Sequence, residues 1–125
     1  MNNLAELIDG SVIMLLPGQQ VTQISSDMVK TLTEPKQIMC NGNPLAAGPI
    51  GLTRVTSGKV AITCLEGEWM IMAESADDGQ SWNTVGRIGR TADGSPYHDV
   101  MIELKSGRLL MPLRWCAAGK YPGLC

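Results

Sequence analysis

The sequence predicts an all-β fold of four-stranded antiparallel units of the β-propeller-blade kind, about two and a half of them. Two observations carry that reading, and a third agrees with it. A hairpin signature occurs three times, as Leu7-Ile8-Asp9-Gly10-Ser11-Val12-Ile13-Met14, Val55-Thr56-Ser57-Gly58-Lys59-Val60-Ala61-Ile62 and Leu104-Lys105-Ser106-Gly107-Arg108-Leu109-Leu110-Met111. Its glycines stand at 10, 58 and 107, spacings of 48 and 49 residues, the length of one propeller blade. Between the hairpins lies a second repeated element. Ser75-Ala76-Asp77-Asp78-Gly79-Gln80-Ser81-Trp82 is complete, and fifty residues earlier Ser25, Asp27 and Thr31 match its Ser, Asp and Ser. In that earlier copy Val29 replaces the glycine and Leu32 the tryptophan. The composition agrees: 14 Gly and 7 Pro among 125 residues suit a turn-rich β protein.

Each element follows from local chemistry. Asp-Gly or Ser-Gly between apolar runs makes a hairpin turn, because glycine takes positive φ without a Cβ clash. The first unit, about 1–40, is expected to hold strands at 4–8, 11–16, 20–24 and 37–39. The second, about 41–90, should have strands at 50–55, 59–65, 69–74 and 84–88. Its third strand alternates weakly and is expected to be covered on both faces. The third unit, 91–125, is incomplete, with strands at 100–104 and 108–115 and a loop after them. No helix is expected, since 28–33 is short and runs into Pro35.

Charge and composition exclude several classes. Hydrophobic residues at 44% against 18% charged speak for a packed core. A net charge of −2 offers no excess of cations for phosphates, so no nucleic-acid partner is expected. No segment has the roughly 20 apolar residues of a membrane span, and the opening residues show no signal peptide. Cys40, Cys64, Cys116 and Cys125 form no Cys-x-x-Cys pair. Two disulfides in any of three connectivities stay open, with free or buried thiols preferred. No phosphate-binding loop, dinucleotide loop or His/Cys cluster occurs, so no metal and no cofactor are expected.

Ser75-x-Asp77-x-Gly79-x-Ser81-Trp82 resembles the Asp-box (BNR repeat) of the sialidase superfamily, and the phrase from Leu104 to Pro112 resembles the hairpin and second strand of a blade there. The resemblance covers most of the chain, most firmly 52–114. It implies a six-bladed propeller, of which this chain is expected to be the N-terminal part, cut within its third blade, with a secreted or periplasmic parent left open. In the box, Asp77 is expected to accept backbone N–H bonds, Ser75 and Ser81 to close the loop, and Trp82 to pack on the blade. The family's Asp-boxes are structural fasteners remote from substrate, and that role is expected here.

Strands that run alternately up and down put the hairpin turns and the Asp-box on one face of the unit. The other face, which carries the active site in sialidases, should hold 41–49, 66–68, 89–99 and the loop from 115. Candidate substrate-binding residues are Tyr97, His98, Asp99 and Arg114 there, together with Arg54 on an inner strand. Arg114 can bind a carboxylate bidentately or pair with a neighbouring blade. His98 and Asp99 point to opposite sides of a regular strand, which disfavours a dyad and leaves His98 as a candidate for backbone bonding. Arg54 and Glu103 are equivalent in the repeat and can form a channel ion-pair network.

Sialidases use three arginines, an acid Asp and a Tyr nucleophile activated by Glu. This chain lacks the family's Arg-Ile-Pro, and neither Tyr97 nor Tyr121 matches the nucleophile, so no catalytic set is assigned. Three expectations follow. The chain is a fragment of a sialidase-like (exo-α-sialidase or neuraminidase) glycoside hydrolase acting on terminal sugars of glycans, inactive by itself. Or it belongs to a non-catalytic Asp-box propeller that binds carbohydrate or protein. Or it is a small blade protein that self-associates through open edges.

Overall fold

The computed structural model describes residues 3–16, 18–46, 48–66, 69–88, 94–98 and 101–117, with backbone only at 88, 94–98 and 113–117. Among these residues the protein is all-β, without helix and therefore without a helix that could cross a membrane. A first meander contains β1 (Leu4–Glu6), β2 (Val12–Leu15), β3 (Val21–Ser25) and β4 (Lys36–Gln37), hydrogen-bonded in that order. A small hairpin of β5 (Met39–Cys40) and β6 (Asn43–Pro44) follows. The second meander runs β7 (Gly48–Arg54), β8 (Val60–Glu66), β9 (Trp69–Ser75) and β10 (Asn83–Ile88), again neighbour to neighbour. Two hairpin-like pairs complete the fold. They are β11 (Gly94–His98) with β14 (Leu113–Ala117), and β12 (Ile102–Glu103) with β13 (Leu109–Leu110).

The three recurring hairpins close with the same bonds. Gly10, Gly58 and Gly107 have φ of +84°, +88° and +78°. Their amides donate to the carbonyls of Leu7, Val55 and Leu104 at 3.0, 2.8 and 2.8 Å. The amides of those three residues bond the carbonyls of Ser11, Lys59 and Arg108 in turn. This is a three-residue loop ending on a left-handed glycine, whose twist suits the flanking strands.

The two meanders pack face to face. Ala5, Leu7, Ile13 and Leu15 of the first meet Leu52, Val60, Ile62, Cys64, Ala73 and Trp82 of the second in one apolar core. Register explains the facing rows, since Ala5 pairs with Ile13 and Ile13 with Ile24, while Leu52 pairs with Ile62 and Ile62 with Ala73. The third unit is bonded to the second through its first strand. Thr53 Oγ1 donates to the Met101 carbonyl at 3.1 Å, and the Thr56 amide and hydroxyl donate to Glu103 Oε2 at 2.6 and 2.7 Å. Those two bonds hold the Glu103 carboxyl below its ordinary range. The first strands β1, β7 and β12 thus lie side by side in chain order.

Several expectations need correction. The strand covered on both faces is β8, where Val60, Ala61, Ile62, Thr63 and Cys64 are all buried, and not β9. Val60, Ile62 and Cys64 meet the first meander, and Ala61 shares its face with Thr53, which bonds Met101 of the third unit. The expected long strand over 108–115 is broken after Leu110 and resumes at Leu113 with β11 as a new partner. Pro112 has no N–H for the ladder, which accounts for the break. A strand, β11, also runs through a stretch expected to be loop. In the first unit the fourth strand stops at Gln37, because Met39 and Cys40 turn off into β5.

Candidate binding cleft

The turn end of the second meander is closed by the Asp-box. Ser75 Oγ donates to Asp77 Oδ1 at 2.7 Å and accepts from the Gly79 amide at 2.8 Å. Asp77 accepts from the Ser81 amide at 2.8 Å and from the Ser81 hydroxyl at 2.5 Å. Burial pushes the Asp77 carboxyl up, but the bonds from Ser81 and Ser75 outweigh it and hold it at about 2. A carboxylate ionised at neutral pH and tied to its own loop is poor as a proton donor there. Trp82 is 1% exposed in the core, and its indole N–H has no acceptor among the described residues. Arg54 lies at this same end, exposed at the last position of β7 and paired in register with Val60. Its repeat equivalent Glu103 bonds Thr56, as above.

A cleft of about 330 Å³ runs along β10, between the β5–β6 hairpin, which meets the first residues of β10, and the end of β8. Asn41-Gly42 makes the hairpin turn, with φ of +51° and +80°. Consecutive positive φ values are what an Asn-Gly turn between short strands supplies. The hairpin is stitched to the second meander: the Asn41 amide donates to the Trp82 carbonyl at 2.8 Å, and the Trp82 amide to the Met39 carbonyl at 3.0 Å. The Asn41 side chain then grips Thr84 from both sides, Nδ2 donating to Oγ1 at 2.9 Å and Oδ1 accepting from the Thr84 amide at 3.1 Å.

Arg87 and Glu66 line the other wall. Register sets this up, because Arg87 pairs with Ile71 and Glu66 with Trp69, placing Arg87 diagonal to Trp69 on the sheet. The guanidinium lies 4.0 Å from the Trp69 ring centre, and its Nη2 is 3.6 Å from Glu66 Oε2. Both side chains of that ion pair are about half exposed, so it fixes direction more than stability. Trp69 is 43% exposed. Cys40, at the cleft wall, and Cys64, behind it, carry free thiols. Burial, then the neighbouring Cys40 and Glu66, push the Cys64 thiol up to about 12, so Cys64 is a packing residue there.

Of the expected substrate-binding residues, Tyr97 and Arg114 are brought together as direct register partners of β11 and β14, with His98 opposite Leu113. Asp99 lies outside the described residues, as do Tyr121 and Cys125. Among the described residues no three His, Cys, Asp or Glu side chains cluster as metal ligands. The cleft residues Asn41, Thr84 and Arg87, and Trp69 that stacks with Arg87, were not among the expected ones. The Asn41-Gly42 pair was the legible signal for the hairpin, since Asn-Gly between two short runs marks such turns. Arg87 and Trp69 carried none, because their partnership depends on a register read only from the paired strands. No family model, curated protein or solved structure matches the chain.

Proposed function

We propose that the chain is part of a sialidase-like Asp-box propeller and that the cleft binds a sugar. Four-stranded meanders repeating at about fifty residues with adjacent first strands support the propeller reading. The observation that carries the binding reading is Arg87 stacked on half-exposed Trp69 beside the Asn41–Thr84 pair. A guanidinium held over an indole, with the fixed amide and hydroxyl of Asn41 and Thr84, suits the polar rim of a sugar ring. A volume near 330 Å³ is at the lower end for small-molecule sites, enough for one or two sugar rings. Arg87 supplies a planar donor for a sugar carboxylate, which Glu66 would yield on binding. With Glu66 as the single carboxylate among the described residues that line the cleft, the reading for this segment is recognition. Hydrolysis of terminal glycosidic bonds belongs, on this proposal, to the closed propeller as a whole, and a purely binding propeller is the other outcome.

Titration of the chain with a sialylated trisaccharide and with its neutral disaccharide core, followed by the Trp69 indole signal in NMR, tests this. The acidic sugar is expected to bind more tightly, and Arg87→Ala to weaken it about tenfold or more, as loss of a charged hydrogen-bonding partner does. Unshifted Trp69 signals at saturating sugar would remove the cleft from the proposal.

A further inference from the structure

The seam between the first and second meanders has two halves. One is Ala5, Leu7, Ile13 and Leu15, and the other is Leu52, Val60, Ile62 and Trp82, with Gly79 pressed on Ile13. The repeat allows each half to be carried to the other end of the chain. Moved back by one unit, Leu52, Gly79 and Trp82 become Leu4, Val29 and Leu32, which are 43%, 41% and 42% exposed. Val60 and Ile62 become Val12 and Met14, both half-buried. Moved forward by two units, Ala5, Leu7 and Ile13 become Ile102, Leu104 and Leu110, which are 49%, 40% and 50% exposed. Leu15 becomes Pro112, also exposed. One molecule therefore displays both halves of its own internal seam, one at each end, apolar except for Gln23 in the place of Ala73.

From this complementarity we propose that a second copy of this chain covers them, head to tail. The first meander of one copy packs on the β12–β13 hairpin of the other, and the same contact recurs on the far side. Such contacts between unlike patches close a ring when the rotation permits. Two copies bring about five to six units together, within the roughly four to eight of closed propellers. The described units of one copy are too few to bring these two faces into contact with each other. The partner is a second copy because the internal seam already shows what fits each face, down to the residue positions. The inference rests on the repeat and its packing, and stands or falls apart from sugar binding.

Sedimentation equilibrium of the chain over a wide concentration series is expected to give twice the 13.4 kDa chain mass. Leu32→Glu and Leu110→Glu are each expected to give a monomer with unchanged far-ultraviolet circular dichroism. Mixed together, they are expected to form a one-to-one dimer, since each supplies the face that the other has lost. If either variant fails to fold, Leu4→Lys and Ile102→Lys serve the same faces. Val85→Glu, on outer strand β10 and 48% exposed, should leave the dimer intact. A folded monomer at every concentration would overturn the proposal and assign the two faces to further units of the same repeat. Failure of the mixed variants to pair, or loss of the dimer in Val85→Glu, would overturn it in favour of pairing through strand edges.

Discussion

The loops at 25–32 and 75–82 share nearly every hydrogen bond and differ in almost everything else. Ser25 Oγ meets Asp27 Oδ1 at 2.8 Å and the Val29 amide at 2.9 Å, against 2.7 and 2.8 Å in the second loop. Thr31 donates to Asp27 from its amide at 2.8 Å and its hydroxyl at 2.7 Å, as Ser81 does to Asp77. The backbone is shared too: Met28 and Val29 have φ of +59° and +67°, and Asp78 and Gly79 have +56° and +83°. Yet Trp82 is buried while Leu32 is 42% exposed. A Cβ at Gly79 would stand 2.5 Å from Ile13 Cδ1, and Val29 is 41% exposed. Ser, Asp and Ser/Thr thus make the loop, whereas Gly and Trp fit it against a neighbouring unit. The first loop can lose the latter pair and keep its shape because no described unit lies on its outer side.

The strongest way to break this comparison is Trp82→Ala. Removing a fully buried indole is expected to cost about 3–5 kcal/mol in urea unfolding, through lost packing rather than a lost hydrogen bond. A loss near that of a surface substitution would mean that the two loops are equivalent after all. Exchanging the glycine position should move stability in opposite directions. Gly79→Val forces a branched side chain into left-handed backbone against Ile13 and is expected to destabilise by about 1–3 kcal/mol. Val29→Gly relieves a β-branched residue at φ +67° and is expected to stabilise by about 1 kcal/mol. The latter is best measured in the Leu110→Glu background, where the outer faces are parted. Changes equal in size and opposite in sign would show that backbone strain, not neighbour packing, separates the loops.

The smallest effect is one the loops share. Thr31 and Ser25 hold the Asp27 carboxyl at about 2, and Asp77 also sits at about 2, both below the ordinary 3.8. A depressed folded value contributes stability that is complete above the unfolded value and is lost as pH falls. The melting temperature is therefore expected to drop between about pH 4 and pH 2. Replacing both residues by Asn should flatten that drop, and an unchanged slope would locate the acid sensitivity elsewhere.

Much of the fold was legible in the sequence because its signals are local. The three glycine turns and the Asp-box close bonds within five residues, so their spacing reads directly as a repeat. The failures came where distant segments compete. Pro112 ended a strand that hydrophobicity alone would have continued, and β11 took over the freed partner. The cleft was half legible, since Asn41-Gly42 is a hairpin signature. Arg87 looked like any strand arginine until the ladder set it diagonal to Trp69.

By itself, the sequence determined the all-β class, the fifty-residue period and the hydrogen bonds of each turn, since these depend on residues that are neighbours along the chain. Only the tertiary structure decided which copies of the repeat are covered, because burial depends on what lies across the seam. Leu4 and Leu52 are the same residue at the same place in the repeat, and one is 43% exposed while the other is 1%. The difference lies in their neighbours: Leu52 has the first meander across the seam, and Leu4 has no described unit across from it.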